Sequence, residues 1–279
     1  MQKKPFFITA LYLGASLALP LAHAEVSKPL KICAAEDEMP YSNKAGAGFE
    51  NKLAELVGNA LGRKVEYLYW TDPRYYIRDT LDKGLCDVVM GIDKGDPRLL
   101  TTQSYYRSGY VFISRKDDDL DLKNWDSEIL RKVKRIAVVP GTPPEVMLRA
   151  IGRYNDMFNY SQELVGFKSR RNQYIKYEPS KLVSEISSGH AEVAALWGSS
   201  AARYVKASST PLVMTLIPDD NVRADGQKVG FHYSTSMGVR KNDPELLAQL
   251  NKVIEDKRDE ITELLEEEGI PLVDEPDAS

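Results

Sequence analysis

The chain has 279 residues, 37 Lys and Arg against 41 Asp and Glu, a formal net charge of −4, and 43% hydrophobic residues. That apolar content supports a substantial core in one or two domains. The acidic balance argues against nucleic acid as a partner.

Lys3 and Lys4 precede an apolar run from Phe6 to Leu21, and Ala22-His23-Ala24 gives a small–x–small cleavage pattern. This predicts a secretory signal peptide over residues 1–24, cleaved after Ala24, and a periplasmic mature protein. No Cys follows the cleavage site, which disfavours a lipoprotein. No later segment approaches the ~20 apolar residues that span a bilayer, so the mature chain is not expected to insert into a membrane.

A buried strand is predicted at Leu30–Ala35, then a loop containing Pro40, Asn43, Gly46 and Gly48. Leu53, Leu56, Val57, Ala60 and Leu61 form the apolar stripe of a helix ended by Gly62. Val65–Trp70 alternates as a strand, Tyr75–Lys83 reads as a short helix closed by Gly84, and Cys86–Gly91 as the next strand. This β-α-β-α-β order predicts a parallel sheet covered by helices.

Cys33 and Cys86, each in a strand-like segment, are the chain's two cysteines. A pair in an oxidising compartment is expected to be bridged, and neighbouring parallel strands lie within disulfide reach. Closing so long a loop would stabilise the fold by about 4 kcal/mol in the chain-entropy model. Two free buried thiols are the alternative, and without a CxxC motif no redox catalysis is assigned.

Val111–Arg115 is strand-like and leads into the charged segment Lys116–Asp121. Arg135–Val139 is a fresh strand, Gly141 opens onto a helix around Glu145–Gly152, Pro179–Ser188 is a helix and Val193–Trp197 a strand. This block repeats the first and predicts a second α/β lobe. Ser234–Arg240 is then a strand, and Pro244–Glu268 a single long amphipathic helix, with Pro244 suited to its first turn and Gly269 to its C-cap. Returning these elements to the first lobe gives lobe I from residues 25–115 and 232–279 and lobe II from residues 116–231. Two crossings, near residues 115–121 and 228–234, would permit hinge closure.

The ordered motifs Met39-Pro40-Tyr41, Gly48-Phe49-Glu50-Asn51, Asp96-Pro97-Arg98, Ile136 to Thr142 and Glu266 to Pro271 resemble the amino-acid-binding branch of the type II periplasmic solute-binding proteins. That resemblance implies an α/β fold of two parallel-sheet lobes. It also implies a cleft holding Tyr41, Phe49, Trp70, Arg98, Thr142 and Trp197. The residue matching Arg98 would pair fork-like with a ligand carboxylate. Two departures stand against free amino acids. Trp197 occupies the place of the acid that would hold an ammonium group, and Pro143-Pro144 removes two N–H donors from a helix N-terminus that could meet an anion.

Cys33-Ala34-Ala35-Glu36, Tyr67-Leu68-Tyr69-Trp70, Arg78-Asp79-Thr80-Leu81 and Tyr105 to Phe112 are similar to the MxaJ/XoxJ-type J proteins of methanol-oxidation gene clusters. That resemblance implies a non-catalytic accessory role toward the quinoprotein methanol dehydrogenase, in maturation, activation or assembly. The alternative is small-solute capture, of an amino-acid-like or carboxylate ligand, for an ABC transporter.

His190 and His232 lack metal-ligand neighbours, and no G-x-S-x-G, P-loop or G-x-G-x-x-G motif occurs, so no catalytic residue, cofactor or metal is expected. Asp117, Asp119, Asp121 and Glu128 follow a calcium-loop spacing, but Leu122 stands where the loop needs glycine. The acidic run from Glu255 to Glu268 reads as a solvated helix face or as a docking face for a basic partner. The candidate docking surface for the dehydrogenase is the aromatic and basic stretch with Tyr154, Phe158, Tyr160, Arg170, Arg171 and Tyr174, since interfaces favour aromatic side chains and arginine.

Overall fold

The structure, a computed structural model, describes residue 2 and residues 27–70, 72–164, 176–223 and 225–276. Apart from residue 2, the expected signal peptide lies outside the described residues, as do Arg170, Arg171 and Tyr174.

Strand β1 (Leu30–Ala35) is buried at five of its six positions, as a strand covered on both faces must be. It pairs in parallel with β2 (Val65–Trp70), Leu30 opposite Val65, and with β3 (Val88–Asp93), Ile32 opposite Val88. Helix α1 (Phe49–Ala60) joins β1 to β2 and buries Phe49, Leu53, Ala54 and Val57. A Cβ at Gly48, just before α1, would lie 1.9 Å from the Tyr41 carbonyl oxygen, so the close approach of loop and helix requires glycine there. In place of the short α-helix expected after β2, a single π-helical turn spans Ile77–Leu81.

Strand β4 (Tyr106–Arg115) belongs to two cores. Its first part pairs antiparallel with β8 (His232–Val239), His232 opposite Gly109, and β8 in turn pairs antiparallel with β3. Its second part lies antiparallel between β6 (Val193–Trp197) and β7 (Leu212–Leu216). Strand β5 (Ile136–Val138) pairs in parallel with β6. The sheet order is therefore β2-β1-β3-β8-β4-β6-β5, with β7 on the other side of β4. The sheet is mixed, because the strands that run between the cores oppose their neighbours.

Helices α2 (Pro143–Ala150), α3 (Tyr154–Leu164), α4 (Pro179–Ser187) and α5 (Gly198–Lys206) cover the second part of the sheet. One core gathers Leu30, Phe49, Leu53 and Met237; two more centre on Phe112, Trp125 and Leu148, and on Ile113, Leu182 and Ile186; a fourth packs Leu81 and Val89 around Cys33 and Cys86. Phe112 of β4 thus packs in the second of these cores and Val111 and Ile113 in the third, and the chain passes between cores at Gly109–Tyr110.

The helix expected to run unbroken over Pro244–Glu268 is two helices, α6 (Pro244–Asp256) and α7 (Arg258–Glu267), broken at Lys257. The apolar stripe lapses there: Glu255 to Glu260 carries only charged side chains, so no burial holds one axis through it. Each helix then aims its own stripe at α1's core, α6 through Leu246, Leu250 and Ile254 and α7 through Ile261 and Leu265.

Candidate functional site

Cys33 and Cys86 are bonded, with Cα atoms 5.5 Å apart and both side chains buried. Cys33 is in β1, and Cys86 stands just before β3, the strand paired to β1. The bridge fixes the floor of a cleft, because Cys33, Ala34 and Ala35 line its wall beside Val89, Met90 and Gly91 of β3.

That cleft is a cavity of 530 Å³, and a second cavity of 360 Å³ opens beside it; Glu38, Tyr41, Tyr110 and Trp197 line both. Trp197 ends β6 where the chain turns into α5. Its ring meets Tyr110 at 5.3 Å and Tyr233 at 5.9 Å, edge-on in both cases. Trp70, the last residue of β2, stacks on Tyr76 at 4.7 Å. The Tyr41 hydroxyl reaches Ser199 Oγ across the cleft at 3.3 Å, and Tyr106 donates to the same atom at 3.4 Å. Ser199 lies on α5 and Tyr41 beside α1, so these bonds tie the two sides of the cleft together.

Three carboxyl groups face the cavity: Glu38, Glu50 and Asp93. Burial pushes the Glu50 carboxyl up to about 8, with the nearby Glu38 charge adding to it. Burial also raises Glu38, against the pull of Lys176, and Asp93, to which Asp96 adds and from which Arg98 subtracts. Gly91 makes room for Glu50: a Cβ there would sit 2.2 Å from Glu50 Oε1.

The residues expected in the cleft divide. Tyr41, Trp70 and Trp197 line the larger cavity, and Thr142 the smaller. Phe49 is fully buried in the core against Tyr41, at 5.3 Å between rings, and packs rather than binds. Arg98 lines neither cavity. Asp96 engages it in a fork, Nε to Oδ1 at 3.0 Å and Nη2 to Oδ2 at 2.6 Å, so its paired donors are already taken. At α2, prolines fill the first two positions, and the Gly141 N–H donates to Glu145 Oε2 at 2.7 Å. The N–H just before the N-cap Thr142 is therefore taken by the chain's own carboxylate, and the two prolines that follow the cap have none.

Of the expected docking surface, Tyr160 is a core residue: it is buried and its hydroxyl donates to Glu185 at 2.6 Å. This corrects its place in a surface patch, since a ring committed to the core offers nothing to a partner. Tyr154 is half-buried, with the Arg149 guanidinium 3.5 Å above its ring. Phe158 lies within α3. Of the carboxylates with calcium-loop spacing, Asp121 pairs with Lys123 and Glu128 with Lys132. His232 sits against the Ile217 carbonyl at 2.8 Å, and His190 beside Ser188.

Sequence reasoning missed Glu38, Glu50, Asp93, Tyr110 and Tyr233. Glu50 lay inside a motif already singled out, and its place in the first turn of a helix facing a strand-end glycine was the available signal. The tyrosines of β4 and β8 become neighbours only through strand pairing.

A model of the bacterial extracellular solute-binding proteins, family 3, matches residues 30–267. The protein MoxJ of Methylorubrum extorquens is 45% identical over 255 residues, covering 90% of this chain and 85% of that protein. Among solved structures, MxaJ from Methlophaga aminisulfidivorans is similar with a TM-score of 0.83 and 47% identity, covering 88% of this chain and all of that one. The periplasmic binding protein XoxJ from Methylobacterium extorquens is similar at a TM-score of 0.64 and 27% identity, with the same coverage.

Proposed function

Because the chain belongs to the bacterial extracellular solute-binding proteins, family 3, and is similar to proteins named MoxJ and MxaJ, we propose that it is a non-catalytic periplasmic accessory protein of the methanol-oxidation system. It acts by binding the quinoprotein methanol dehydrogenase and assisting its maturation or activation. Export proceeds through the signal peptide of residues 1–24. Lobe I comprises residues 25–115 and 232–279 and lobe II residues 116–231, with the end of β4 reaching into lobe II.

The observation that carries this reading is the loss of amino-acid anchors from the cleft. Arg98 is held by Asp96, the α2 N-terminus is closed by two prolines and Glu145, and Trp197 presents an indole. A zwitterion entering this cleft would bury a carboxylate without a cationic partner among the described residues that line it, which costs several kcal/mol. The face around Tyr154 and the segment through residue 174 is the proposed docking surface.

The test is calorimetric titration of the mature protein with methanol dehydrogenase, beside a panel of amino acids and small carboxylates. Saturable binding to the enzyme with a silent panel supports the accessory role. Tight binding of one such solute with no enzyme signal supports the second reading, solute capture for a transporter, which the 530 Å³ cavity favours.

A further inference from the structure

The larger cavity has a one-sided chemistry. Seven aromatic rings and three carboxyl groups line it, and among the described residues no Lys, Arg or His does. Aromatic faces carry partial negative charge and attract cations that have shed part of their water. Trp70 and Tyr76 form one stacked pair on this wall; Tyr110, Trp197 and Tyr233 form a cluster of mutually edge-on rings on another. Glu50 lies on the same cavity, largely shielded from water, with no hydrogen bond or ion pair to any side chain among the described residues. The nearby guanidinium, Arg98, is consumed by Asp96, and Lys176 pairs with Glu178 at 2.9 Å.

These features exclude other occupants by charge. An anion meets hydroxyl and indole donors but no cationic side chain among the described residues, beside three carboxyl groups. A zwitterion leaves its carboxylate without a counter-charge. A metal ion needs converging ligands, and among the described residues no three His, Cys, Asp or Glu side chains converge to hold one. A cation with apolar substituents satisfies both the rings and the carboxylate.

We propose that the cleft binds a small organic cation of the alkylated-ammonium class, without a carboxylate of its own, between the Trp70–Tyr76 pair and the Tyr110–Trp197–Tyr233 cluster, with Glu50 as counter-charge. The ligand class rests on the reading of this cleft as a binding-protein site, and it requires nothing of the dehydrogenase. The raised Glu50 carboxyl fits the proposal, because a bound cation draws its proton off. Binding near neutral pH is then accompanied by proton release.

The probe is choline, and the comparison is its neutral isostere with carbon in place of the quaternary nitrogen. Acetate and glycine serve as carboxylate controls, and sodium chloride as the ionic-strength control. Trp70 and Trp197 line the cavity, so intrinsic fluorescence reports occupancy. Calorimetry in two buffers of different ionisation enthalpy reports the proton. We expect choline to saturate the wild-type chain, the isostere to bind at least about tenfold more weakly, and the heat to depend on the buffer. Glu50→Gln weakens choline at least about tenfold, and Trp197→Leu about fivefold. An unchanged near-ultraviolet circular dichroism spectrum certifies each variant's fold. Equal binding of choline and isostere, silence of choline at millimolar concentration, or binding of acetate or glycine in its place overturns the proposal. The wild-type comparison decides even where a variant does not fold. Because no dehydrogenase is present, failure here and failure of the accessory reading are separate results.

Discussion

Glu50→Gln isolates the energetic cost of the cleft's counter-charge. The Glu50 carboxyl moves from an ordinary 4.5 to about 8 on folding, through burial first and the Glu38 charge second. The groups that face it are Glu38 from the loop before α1 and the hydroxyls of Tyr41, Tyr76, Tyr105 and Tyr106. None is a cation. Between the two values the folded chain holds a proton that the unfolded chain has released. Stability therefore falls as pH rises from the unfolded value through the folded one, and the loss is complete above about 8.

At about 1.4 kcal/mol per pH unit, that displacement has an upper limit of about 5 kcal/mol, and water entering the cleft reduces it to about 2–4 kcal/mol. Glutamine matches the protonated acid in shape and stays neutral. Near pH 4 the variant and wild type should melt together; near pH 9 the variant should melt about 4–16 °C higher, at about 2–4 °C per kcal/mol for a chain of this size. Thermal melts of both proteins across this range measure the difference, which cancels every other titrating group the two share. Parallel melting curves at all pH values would show that folding leaves the Glu50 carboxyl unshifted, and would refute the reasoning.

Converting Cys33 and Cys86 together to serine removes a 53-residue constraint, and urea unfolding should show a loss of up to about 4 kcal/mol. At Glu268, burial pushes the carboxyl up, but hydrogen bonds and charge from Arg203 and Lys52 more than reverse this and hold it below 4.5. Its contribution is present above the ordinary carboxylate value and is lost as pH falls through the depressed one; Glu268→Gln should lower stability by about 1–3 kcal/mol near pH 7 and by little near pH 3, read by chemical denaturation. Tyr160→Phe strips a hydroxyl from the buried Glu185 and should cost about 1–2 kcal/mol in the same assay.

How much of this was legible in the sequence follows from how far each signal reaches along the chain. Local patterns sufficed for β1, α1, β2 and β6, whose apolar runs and stripes are contiguous. The cysteine pair was legible because both residues sit at strands that a β-α-β order places side by side. The break at Lys257 was visible as a lapse in the apolar stripe but was overridden by the overall helical character of the segment. The cleft was harder. Tyr110, Trp197 and Tyr233 are far apart in sequence and meet because β4 pairs with β6 and β8 at adjoining registers. Arg98 shows the converse limit: its motif was recognisable, but its pairing with Asp96 two residues away depends on the turn that carries both.

The pairing of Arg98 with Asp96 and the closing of α2 by Glu145 are two local changes with one consequence. Each spends a donor on the protein's own carboxylate, so the cleft loses positive potential without exposing an unpaired cation elsewhere. Meanwhile the scaffold that brings the two sides together is intact: Tyr41 and Tyr106 still reach Ser199, and Arg203 of α5 still reaches Glu268 behind the cleft. A cleft lined by rings and carboxyl groups is selective by charge sign rather than by bidentate geometry. Whatever shifts the open–closed balance must then bind one state better than the other. A cation neutralising Glu50 and spanning both aromatic groups meets that requirement for a state in which, as here, the Trp70–Tyr76 pair and the Trp197 cluster line one cavity.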